Sequence, residues 1–287
     1  MYTGLMCRFI AYIGAPVLLD ELLYHPENSI IRQSFKARER KEPLNGDGFG
    51  VGWYVPDIQP EPARYVSIRP AWNDFNLRSI AALTRTPCVM AHVRAATRGE
   101  VSQRNCHPFA YKNLLMMHNG TIYGFHDIRR AILEQLSDDM FHWVRGSTDT
   151  EHFFALFLDK LNCTKSPTAD TAYETFQESL QSIESLKKKA NIQERTVVNA
   201  VVSDGTWMLA VRFSSAVDRV PPTLYYSAGA AYRCKDSVCT MERVATAQST
   251  VLVVSEKLTD NAQDWIEIPS NHALLVSPGH DVELRKL

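Results

Sequence analysis

Strand-like and helix-like segments occupy separate blocks of the chain, and this order limits the folds open to it. Short apolar or alternating segments come first, helical periods dominate between residues 127 and 190, and strand-like segments return from residue 196 onward. Chains arranged in this way pack sheets together and cover the faces of those sheets with helices. We therefore expect an α+β fold in one domain.

Three regions carry the clearest local patterns. Glycine alternates with Phe, Val and Trp over 48–54, which predicts a strand with one face reduced to hydrogen atoms. Apolar residues recur at helical spacing over 170–190, and lysines end that segment, where cations suit a helix C-terminus. Segments 196–203 and 207–213 are predicted strands, and the Asp204-Gly205 pair between them indicates a hairpin.

Weaker patterns complete the prediction of secondary structure. The remaining predicted strands are 7–13, 88–94, 114–119, 224–227, 251–255, 273–277 and 282–287, and the remaining predicted helices begin near Leu18 or cover 127–135 and 149–161. Acidic residues open the last of these helices, as a helix N-terminus favours. No internal repeat or low-complexity tract interrupts this series.

Composition excludes several functional classes but identifies none. The 287 residues carry 31 Lys plus Arg against 32 Asp plus Glu, a formal net charge of −1, and 45% of them are hydrophobic. Disordered chains combine low hydrophobicity with high net charge, and nucleic-acid-binding domains have a basic excess. No apolar run reaches the roughly 18–20 residues that cross a bilayer. These values indicate a globular protein, which we expect in the cytoplasm.

The cysteines are too few for a disulfide framework in a chain of this length. They are Cys7, Cys88, Cys106, Cys163, Cys234 and Cys239. We expect all six to be reduced thiols, as in cytosolic proteins.

Taken one at a time, most chemically capable residues have ordinary structural interpretations. Cys7 fits a small apolar core residue, Asn119-Gly120 fits a type I′ turn, and Asp149 fits a helix cap. Arg94 is harder to explain in this way, because a guanidinium at the end of an apolar strand needs a carboxylate or phosphate partner. The glycine-rich run is no phosphate loop, since Gly-Lys-Ser/Thr does not follow it.

Taken together, five motifs carry a resemblance to a known family. They are Met-Cys-Arg-Phe at 6–9, Asn-Gly-Asp-Gly-Phe-Gly-Val-Gly-Trp at 45–53, Asn-Cys-His-Pro-Phe at 105–109, His-Asn-Gly at 118–120, and Ser-Glu-Lys-Leu at 255–258 followed by Trp-Ile-Glu-Ile-Pro at 265–269. In this order they resemble the class II glutamine amidotransferases, which are N-terminal-nucleophile hydrolases. The resemblance covers nearly the whole chain from Cys7. It points to the branch with the γ-glutamyl hydrolase of ergothioneine biosynthesis and the fungal amidotransferase subunit of glutathione degradation.

The resemblance implies a fold and a nucleophile. The fold is a four-layer αββα sandwich of two packed, mainly antiparallel sheets. Cys7, once it is the first residue, would use its own α-amino group as the general base, since free α-amines titrate near pH 7.7–8.0. Its thiol would attack a γ-glutamyl amide to form a thioester, and water would then release glutamate. The oxyanion would be held by the Asn119 side chain and the Gly120 N–H.

The resemblance also implies which residues bind the substrate. Arg94 would bind the α-carboxylate of the γ-glutamyl group in two places, with the Thr97 hydroxyl beside it. Asp149 would bind the α-ammonium. The near-zero net charge of the chain suits a small zwitterionic substrate of this kind.

Residues around this set are expected to support it rather than to react. By resemblance, Asn45 and Asp47 lie near the N-terminus of the nucleophile. His92, His107 and His118 lie beside the motifs, and we interpret them as structural or supporting residues because this chemistry needs no imidazole. We expect no metal and no cofactor.

The first six residues depart from the family pattern. Met1 to Met6 precede Cys7, and removal of the initiator methionine would expose Tyr2 instead. We therefore predict two parts: an N-terminal extension, 1–6, that the active form lacks, and an amidotransferase-like domain, 7–287.

Three alternatives remain open at this stage. Cys234, Cys239, His272 and His280 offer two thiolates and two imidazoles for zinc, although the spacing is long for a structural site. Cys106 offers a papain-like nucleophile, although the flanking signature is missing. The chain is also compatible with a non-catalytic or partner-dependent role, with a peptidase-like or amine-accepting partner subunit.

Overall fold

The structure is a computed structural model, and it describes most of the chain. The described ranges are 7–39, 42–96, 100–161, 166–216, 219–235, 238–243 and 249–287. Three of the sequence expectations lie outside the described residues: the extension 1–6, the role of Thr97 and the reduced state of Cys163.

Strands and helices follow the predicted order. The strands are β1 Arg8–Leu18, β2 Phe49–Val55, β3 Gln59–Ser67, β4 Arg85–Val93, β5 Phe109–Tyr111, β6 Leu114–Ile122, β7 Thr196–Ser203, β8 Met208–Ser214, β9 Tyr225–Lys235, β10 Val238–Arg243, β11 Thr250–Val254, β12 Ile266–Glu267, β13 His272–Val276 and β14 Val282–Lys286. The helices are α1 Leu19–Leu23, α2 Ile30–Lys36, α3 Phe75–Leu83, α4 Phe125–Leu133, α5 Asp138–Trp143, α6 Asp149–Leu161 and α7 Ala169–Lys189.

Within the described residues, the strands form two antiparallel sheets. The first sheet has eight strands in the order β10-β9-β11-β1-β4-β2-β3, with β12 beside β9. The second has six strands in the order β14-β13-β8-β7-β6-β5. β1 lies between β11 and β4 and is paired to both. The strand that follows Cys7 is therefore held from both sides.

Three apolar clusters correspond to the three interfaces of a four-layer sandwich. One contains Phe9, Ala11, Met90, Leu115 and Met117 and lies between the two sheets. A second joins the outer face of the first sheet to α1, α2 and α3, and a third joins the outer face of the second sheet to α4, α5, α6 and α7. The αββα architecture that the resemblance implies is thus confirmed.

The glycines of β2 explain why two of the motifs occur together. A side chain at Gly50 would collide with the carbonyl of His107, and one at Gly52 would collide with Leu115 and Pro108. The face of β2 that turns toward the second sheet is therefore reduced to hydrogen so that the 106–108 backbone can lie against it. The predicted strand with one bare face is confirmed, and its partner is the Asn-Cys-His-Pro-Phe segment.

Two sequence expectations are wrong in the structure. Asn119-Gly120 is not a turn, because β6 continues to Ile122 and pairs with β7 from Leu115 to Ile122. Cys234 and Cys239 are not reduced thiols, because they form a disulfide across the β9–β10 hairpin, where the strand register places them directly opposite each other.

Several elements were not predicted from the sequence. β3 was missed because it is largely exposed and lacks a clear apolar alternation. The short helices α2, α3 and α5 were also missed. In the described part of the chain, no helix is both long enough and apolar enough to span a membrane.

Substitution of Gly50 by alanine should destabilise the fold. The new methyl group would overlap the backbone of His107, which belongs to a buried segment and cannot move aside cheaply. We expect the free energy of unfolding to fall by more than about 2 kcal/mol in urea titrations. Gly279→Ala is the matched control, since its methyl group would meet only ordinary contacts, and we expect a change within about 0.5 kcal/mol. Equal stability of the two variants would contradict the packing described here.

Candidate active site

Strand register brings two of the motifs, 6–9 and 45–53, and the segment that contains Arg94 to one end of the first sheet. Arg8 pairs with Val93, and Val93 pairs with Phe49 on its other side. Cys7, Arg94 and Gly48 are the neighbours of these three residues, so they meet where β1 begins, β4 ends and β2 begins. Alternation along β1 and β4 places Cys7 and Arg94 on the face that turns toward the second sheet.

The thiol of Cys7 lies against the backbone just after Arg94. The Ala95 N–H donates to the Cys7 sulfur at 3.4 Å, and the sulfur lies 3.6 Å from the Ala95 carbonyl oxygen. Cys7 is partly exposed, whereas Cys88 and Cys106 are buried. The nucleophile predicted from the sequence is therefore the accessible thiol.

Asp47 and Asn45 hold the loop beside this thiol. The Ala96 N–H donates to Asp47 Oδ2 at 2.7 Å, and the Asp47 N–H donates to the Arg94 carbonyl at 3.0 Å. Asn45 is buried, and its side-chain amide donates to the Gln33 carbonyl at 2.9 Å. These contacts join the segment before β2 to the segment after β4. Asp47 is thus tied to the residues on either side of Ala95, which contacts the thiol, whereas Asn45 anchors its own segment to α2.

Asn119 presents a buried amide group on the facing sheet. It is 1% exposed, and within the described residues neither its Nδ2 nor its Oδ1 makes a hydrogen bond. Leu115 and Met117, which share its side of β6, belong to the cluster between the sheets, so Asn119 also faces the first sheet. A buried amide without a partner costs roughly 1–3 kcal/mol. A ligand atom at this position would recover that free energy.

Gly120 is required by the backbone around it. A side chain there would collide with the Val197 carbonyl and the His118 ring. The same carbonyl accepts from His118 Nε2 at 3.2 Å. Glycine thus lets β6 and β7 approach closely beside the Asn119 amide.

His118, Thr150 and Asp149 form a chain of polar contacts on the helical side of β6. His118 Nδ1 lies 2.8 Å from the Thr150 hydroxyl, and Asp149 Oδ2 accepts from the Ile122 N–H at 2.8 Å. Burial lowers the pKa of His118, although the nearby Asp149 carboxylate opposes this effect. A neutral ring that donates from Nε2 to a carbonyl accepts at Nδ1. The expected supporting role of His118 thus has a physical basis, since it ties β6 to the start of α6.

His92 and His107 are buried side by side between Arg94 and His118. Their ring centroids lie 4.3 Å apart, and none of their ring nitrogens has a hydrogen-bond partner among the described residues. Burial, followed by the positive charge of Arg94, lowers the pKa of His92 to about 3. Burial also lowers the pKa of His107 well below its ordinary value, and neighbouring His92 lowers it further. Both rings are therefore neutral at physiological pH.

The papain-like alternative is not supported by the surroundings of Cys106. Its thiol is fully buried and lies 3.5 Å from the carbonyl oxygens of Ser67 and Ser102. Burial raises its pKa, although Arg94 and Arg64 oppose the shift. A reactive thiol needs the opposite, a lowered pKa together with access to solvent.

The zinc alternative is contradicted by the disulfide. Cys234 and Cys239 are bonded to each other in the first sheet, whereas His272 begins β13 in the second sheet. Within the described residues, no group of three or more His, Cys, Asp or Glu side chains is arranged to hold a metal ion.

Two contributors to this end of the molecule were missed from the sequence. Arg8 and Glu256 form a buried ion pair next to Cys7, with Nε and Oε1 2.6 Å apart. Thr150 connects His118 to the start of α6. The motif at 255–258 drew attention to Glu256. The sequence pattern does not show, however, that Glu256 pairs with Arg8, which is 248 residues away.

Comparison with known proteins agrees with this architecture. The family model described as "Glutamine amidotransferases class-II" matches residues 26–286. The chain is 36% identical to the probable glutamine amidotransferase DUG3 of Saccharomyces cerevisiae over 94% of its own length and 82% of that protein. It is also 36% identical to the gamma-glutamyl-hercynylcysteine sulfoxide hydrolase of Mycolicibacterium smegmatis, over 41% of this chain and 52% of that protein.

Solved structures show the same architecture. A glutamine aminotransferase class-II domain protein from Silicibacter pomeroyi superposes with a TM-score of 0.67 at 25% identity, covering 98% of this chain and 99% of that one. The glutamine phosphoribosylpyrophosphate amidotransferase of B. subtilis superposes with a TM-score of 0.60 at 14% identity, over 98% of this chain and 49% of that one. This second likeness concerns the fold alone.

The fold and the site define a class of protein: two facing antiparallel sheets with helices outside, and a cysteine at the start of a central strand. The sequence comparisons narrow this class to a family. The chain belongs to the class II glutamine amidotransferases.

The buried, neutral state of His92 predicts a dependence of stability on pH. Because the folded pKa is about 3 against an ordinary 6.5, the unfolded chain binds a proton that the folded chain does not, and stability falls as the pH drops from 6.5 toward 3. We expect His92→Asn to lose about 2 kcal/mol less stability than the wild type between pH 7 and pH 5, measured by urea unfolding. The exposed His142→Asn is the control for histidine removal. If His92→Asn lost as much stability as the wild type between pH 7 and pH 5, the neutral state assigned to His92 would be contradicted.

Proposed function

We propose that the chain hydrolyses a γ-glutamyl amide through a thioester on Cys7 and releases glutamate. The observation that carries this proposal is that an accessible thiol at one end of the first sheet is matched by the buried Asn119 amide on the facing sheet, which has no hydrogen-bond partner among the described residues. Acyl transfer needs a nucleophile and a donor for the oxyanion on the two sides of one carbonyl carbon.

The nucleophile is activated by the chain terminus in this proposal. When Cys7 is the first residue, its α-amino group takes the thiol proton as the thiolate attacks the amide carbon. The same proton passes to the leaving amine when the tetrahedral intermediate collapses to the thioester. Water then attacks the thioester, and the free amine again serves as base. The neutral, buried histidines are not required for any of these transfers.

The oxyanion is stabilised by donors that are already in place. Asn119 Nδ2 has no other hydrogen bond among the described residues and need not break one to reach the oxyanion. The Gly120 N–H is the second donor in this proposal. Donors held ready in a buried site stabilise the transition state more than donors in water do.

The amino-acid end of the substrate is bound by one cation and one anion. Arg94 brings a buried guanidinium to the end of β4, next to the residues that contact the thiol. Asp149 lies at the first turn of α6 and is tied to β6 two residues after Gly120. These side chains suit the α-carboxylate and the α-ammonium of a γ-glutamyl group. Thr97 keeps its proposed role from the sequence.

The relatives indicate the substrate class. One is named as a glutamine amidotransferase and another as a hydrolase of a γ-glutamyl-hercynylcysteine sulfoxide. Both names refer to a substrate with a γ-glutamyl group. In this proposal, that group is the part of the substrate that Arg94 and Asp149 bind. We propose glutamine, glutathione or a related γ-glutamyl compound, and the sequence resemblance to the glutathione-degradation branch favours the second. A peptidase-like or amine-accepting partner subunit is compatible with this assignment.

Glutamate release from a panel of γ-glutamyl amides tests this function. We expect Cys7→Ser to abolish release and Cys106→Ser to retain it, with folding of both variants checked by urea unfolding. Intact-mass measurement of the active protein is expected to show Cys7 as the first residue. Full activity with residues 1–6 attached would overturn the proposed base, and activity in Cys7→Ser would overturn the nucleophile. Release only after a partner is added would favour the partner-dependent role.

Asn119→Ala should reduce turnover without weakening substrate binding. Loss of one oxyanion donor typically lowers kcat by about 10²–10³-fold. Since Arg94 and Asp149 are unchanged, we expect KM to stay within about threefold, as for an interaction made only in the transition state. Steady-state kinetics on the best substrate of the panel measures both constants. A kcat within about threefold of the wild type would contradict the role of Asn119.

A further inference from the structure

The Arg8 side chain folds back onto the residue that precedes it. Its Nη1 donates to the Cys7 carbonyl at 3.0 Å, its Nη2 donates to the Glu39 carbonyl at 3.4 Å, and its Nε donates to Glu256 Oε1 at 2.6 Å. Arg8 is only 4% exposed. A guanidinium has a planar fork of donors and can hold three acceptors in one fixed arrangement.

Glu256 collects donors from three further groups. The backbone N–H of Arg38 donates to Oε2 at 2.8 Å, that of Glu39 donates to Oε1 at 3.1 Å, and Asn28 Nδ2 lies 3.4 Å from Oε2. Glu256 is completely buried. Burial alone would raise the pKa of this carboxyl, but Arg8 and the two backbone donors outweigh burial, so the pKa is lowered. The carboxylate is therefore charged at neutral pH.

These contacts restrict Cys7 from two directions. Its carbonyl is held by Arg8, and its thiol is held against the Ala95 peptide. The four substituents of an L-residue have fixed angles and a fixed hand at Cα. When the carbonyl carbon and Cβ are both placed, the direction of the α-nitrogen is determined as well. Arg8 thus orients the nitrogen without contacting it.

Stability alone does not account for a buried ion pair. Desolvation of two charges offsets most of their attraction, and apolar residues of similar volume are often as stable or more so. Between β1 and the loop after β11, the pair joins segments that are 248 residues apart. What distinguishes this ion pair is that Arg8 also donates to the carbonyl of Cys7, the proposed nucleophile.

We propose that Arg8 and Glu256 are positioning residues that aim the α-amino group of Cys7 at its thiol. This inference rests on the proposed function, because it assigns the pair to the same nucleophile. The pair holds Cys7 in the conformation in which its amine can take the thiol proton. Glu256 also fixes the 38–39 backbone, and the Glu39 carbonyl accepts from Arg8. The Glu256 carboxylate therefore fixes the positions of both the Arg8 guanidinium and the 38–39 segment.

The decisive variant is the double substitution R8M/E256Q. It removes both charges together, so no unpaired charge stays buried, and the single amide oxygen of the new side chain can still accept from the Arg38 N–H. Urea unfolding checks that the variant folds. Tyr54→Phe is the matched control: its buried hydroxyl bonds to the Asn113 and Ser203 carbonyls at the far end of β2. Arg8→Lys keeps the charge but replaces the fork with a single point donor.

We expect kcat of R8M/E256Q for the best γ-glutamyl substrate to fall at least about 30-fold, with KM within about threefold, because Arg94 and Asp149 are untouched. Arg8→Lys, which keeps the positive charge, should have a kcat between that of R8M/E256Q and that of the wild type. Tyr54→Phe should keep kcat even where urea unfolding shows an equal loss of stability. A double variant as active as Tyr54→Phe would show that the pair is structural only and would overturn the proposal.

A crystal structure of R8M/E256Q tests the inference independently of activity. We expect the Cys7 sulfur to lose its contact with the Ala95 N–H. An unmoved Cys7 would overturn the proposal even if the wild type hydrolysed every substrate of the panel. If the proposed function is wrong, the wild type and Cys7→Ser will release glutamate equally, or neither will release it. The crystal structure of R8M/E256Q still shows in that case whether Cys7 has moved.

Discussion

At one end of the sandwich the two sheets meet through polar groups, and the bare glycine face of β2 makes this arrangement possible. Elsewhere the sheets join through apolar side chains such as Phe9 and Met117. Here the 106–108 backbone lies against Gly50, which brings His107 next to His92 and Arg94. The same end of the sandwich carries the accessible thiol of Cys7 on one sheet and the buried Asn119 amide on the other.

Desolvation then decides the charge state of each group at that end. It keeps the imidazoles neutral, whereas Glu256 stays ionised because it has a cation and several N–H donors. The neutral histidine pair adds no charge of its own beside the Arg94 guanidinium. The region is therefore suited to attract a carboxylate, which is the chemistry expected of a γ-glutamyl substrate.

Much of the fold was predictable from the sequence, and the reason lies in periodicity. Segments 149–161 and 196–203 match the structure at both ends, because their patterns are long or bounded by turn residues. The interpretation of Asn119-Gly120 as a turn is wrong, because the pairing of β6 with β7 outweighs the local preference of these two residues for a turn.

The site was only partly predictable, because its contacts depend on the tertiary structure. The family resemblance pointed to Cys7, Arg94 and Asn119, but no local pattern shows that an arginine next to a cysteine binds a carboxylate 248 residues later. The disulfide was missed for a similar reason, since composition says nothing about which cysteines face each other across a hairpin.

The central position of β1 has a consequence for how the protein acquires activity during synthesis. Ile10 pairs with Val254, so the strand beside the proposed nucleophile gains one of its two neighbours only after residues 250–254 have been synthesised. Closing so long a loop is slow compared with forming local helices and hairpins. A nascent or truncated chain that lacks β11 therefore presents Cys7 next to a strand that is missing one of its two partners, and the proposed hydrolysis would require β11 to be in place.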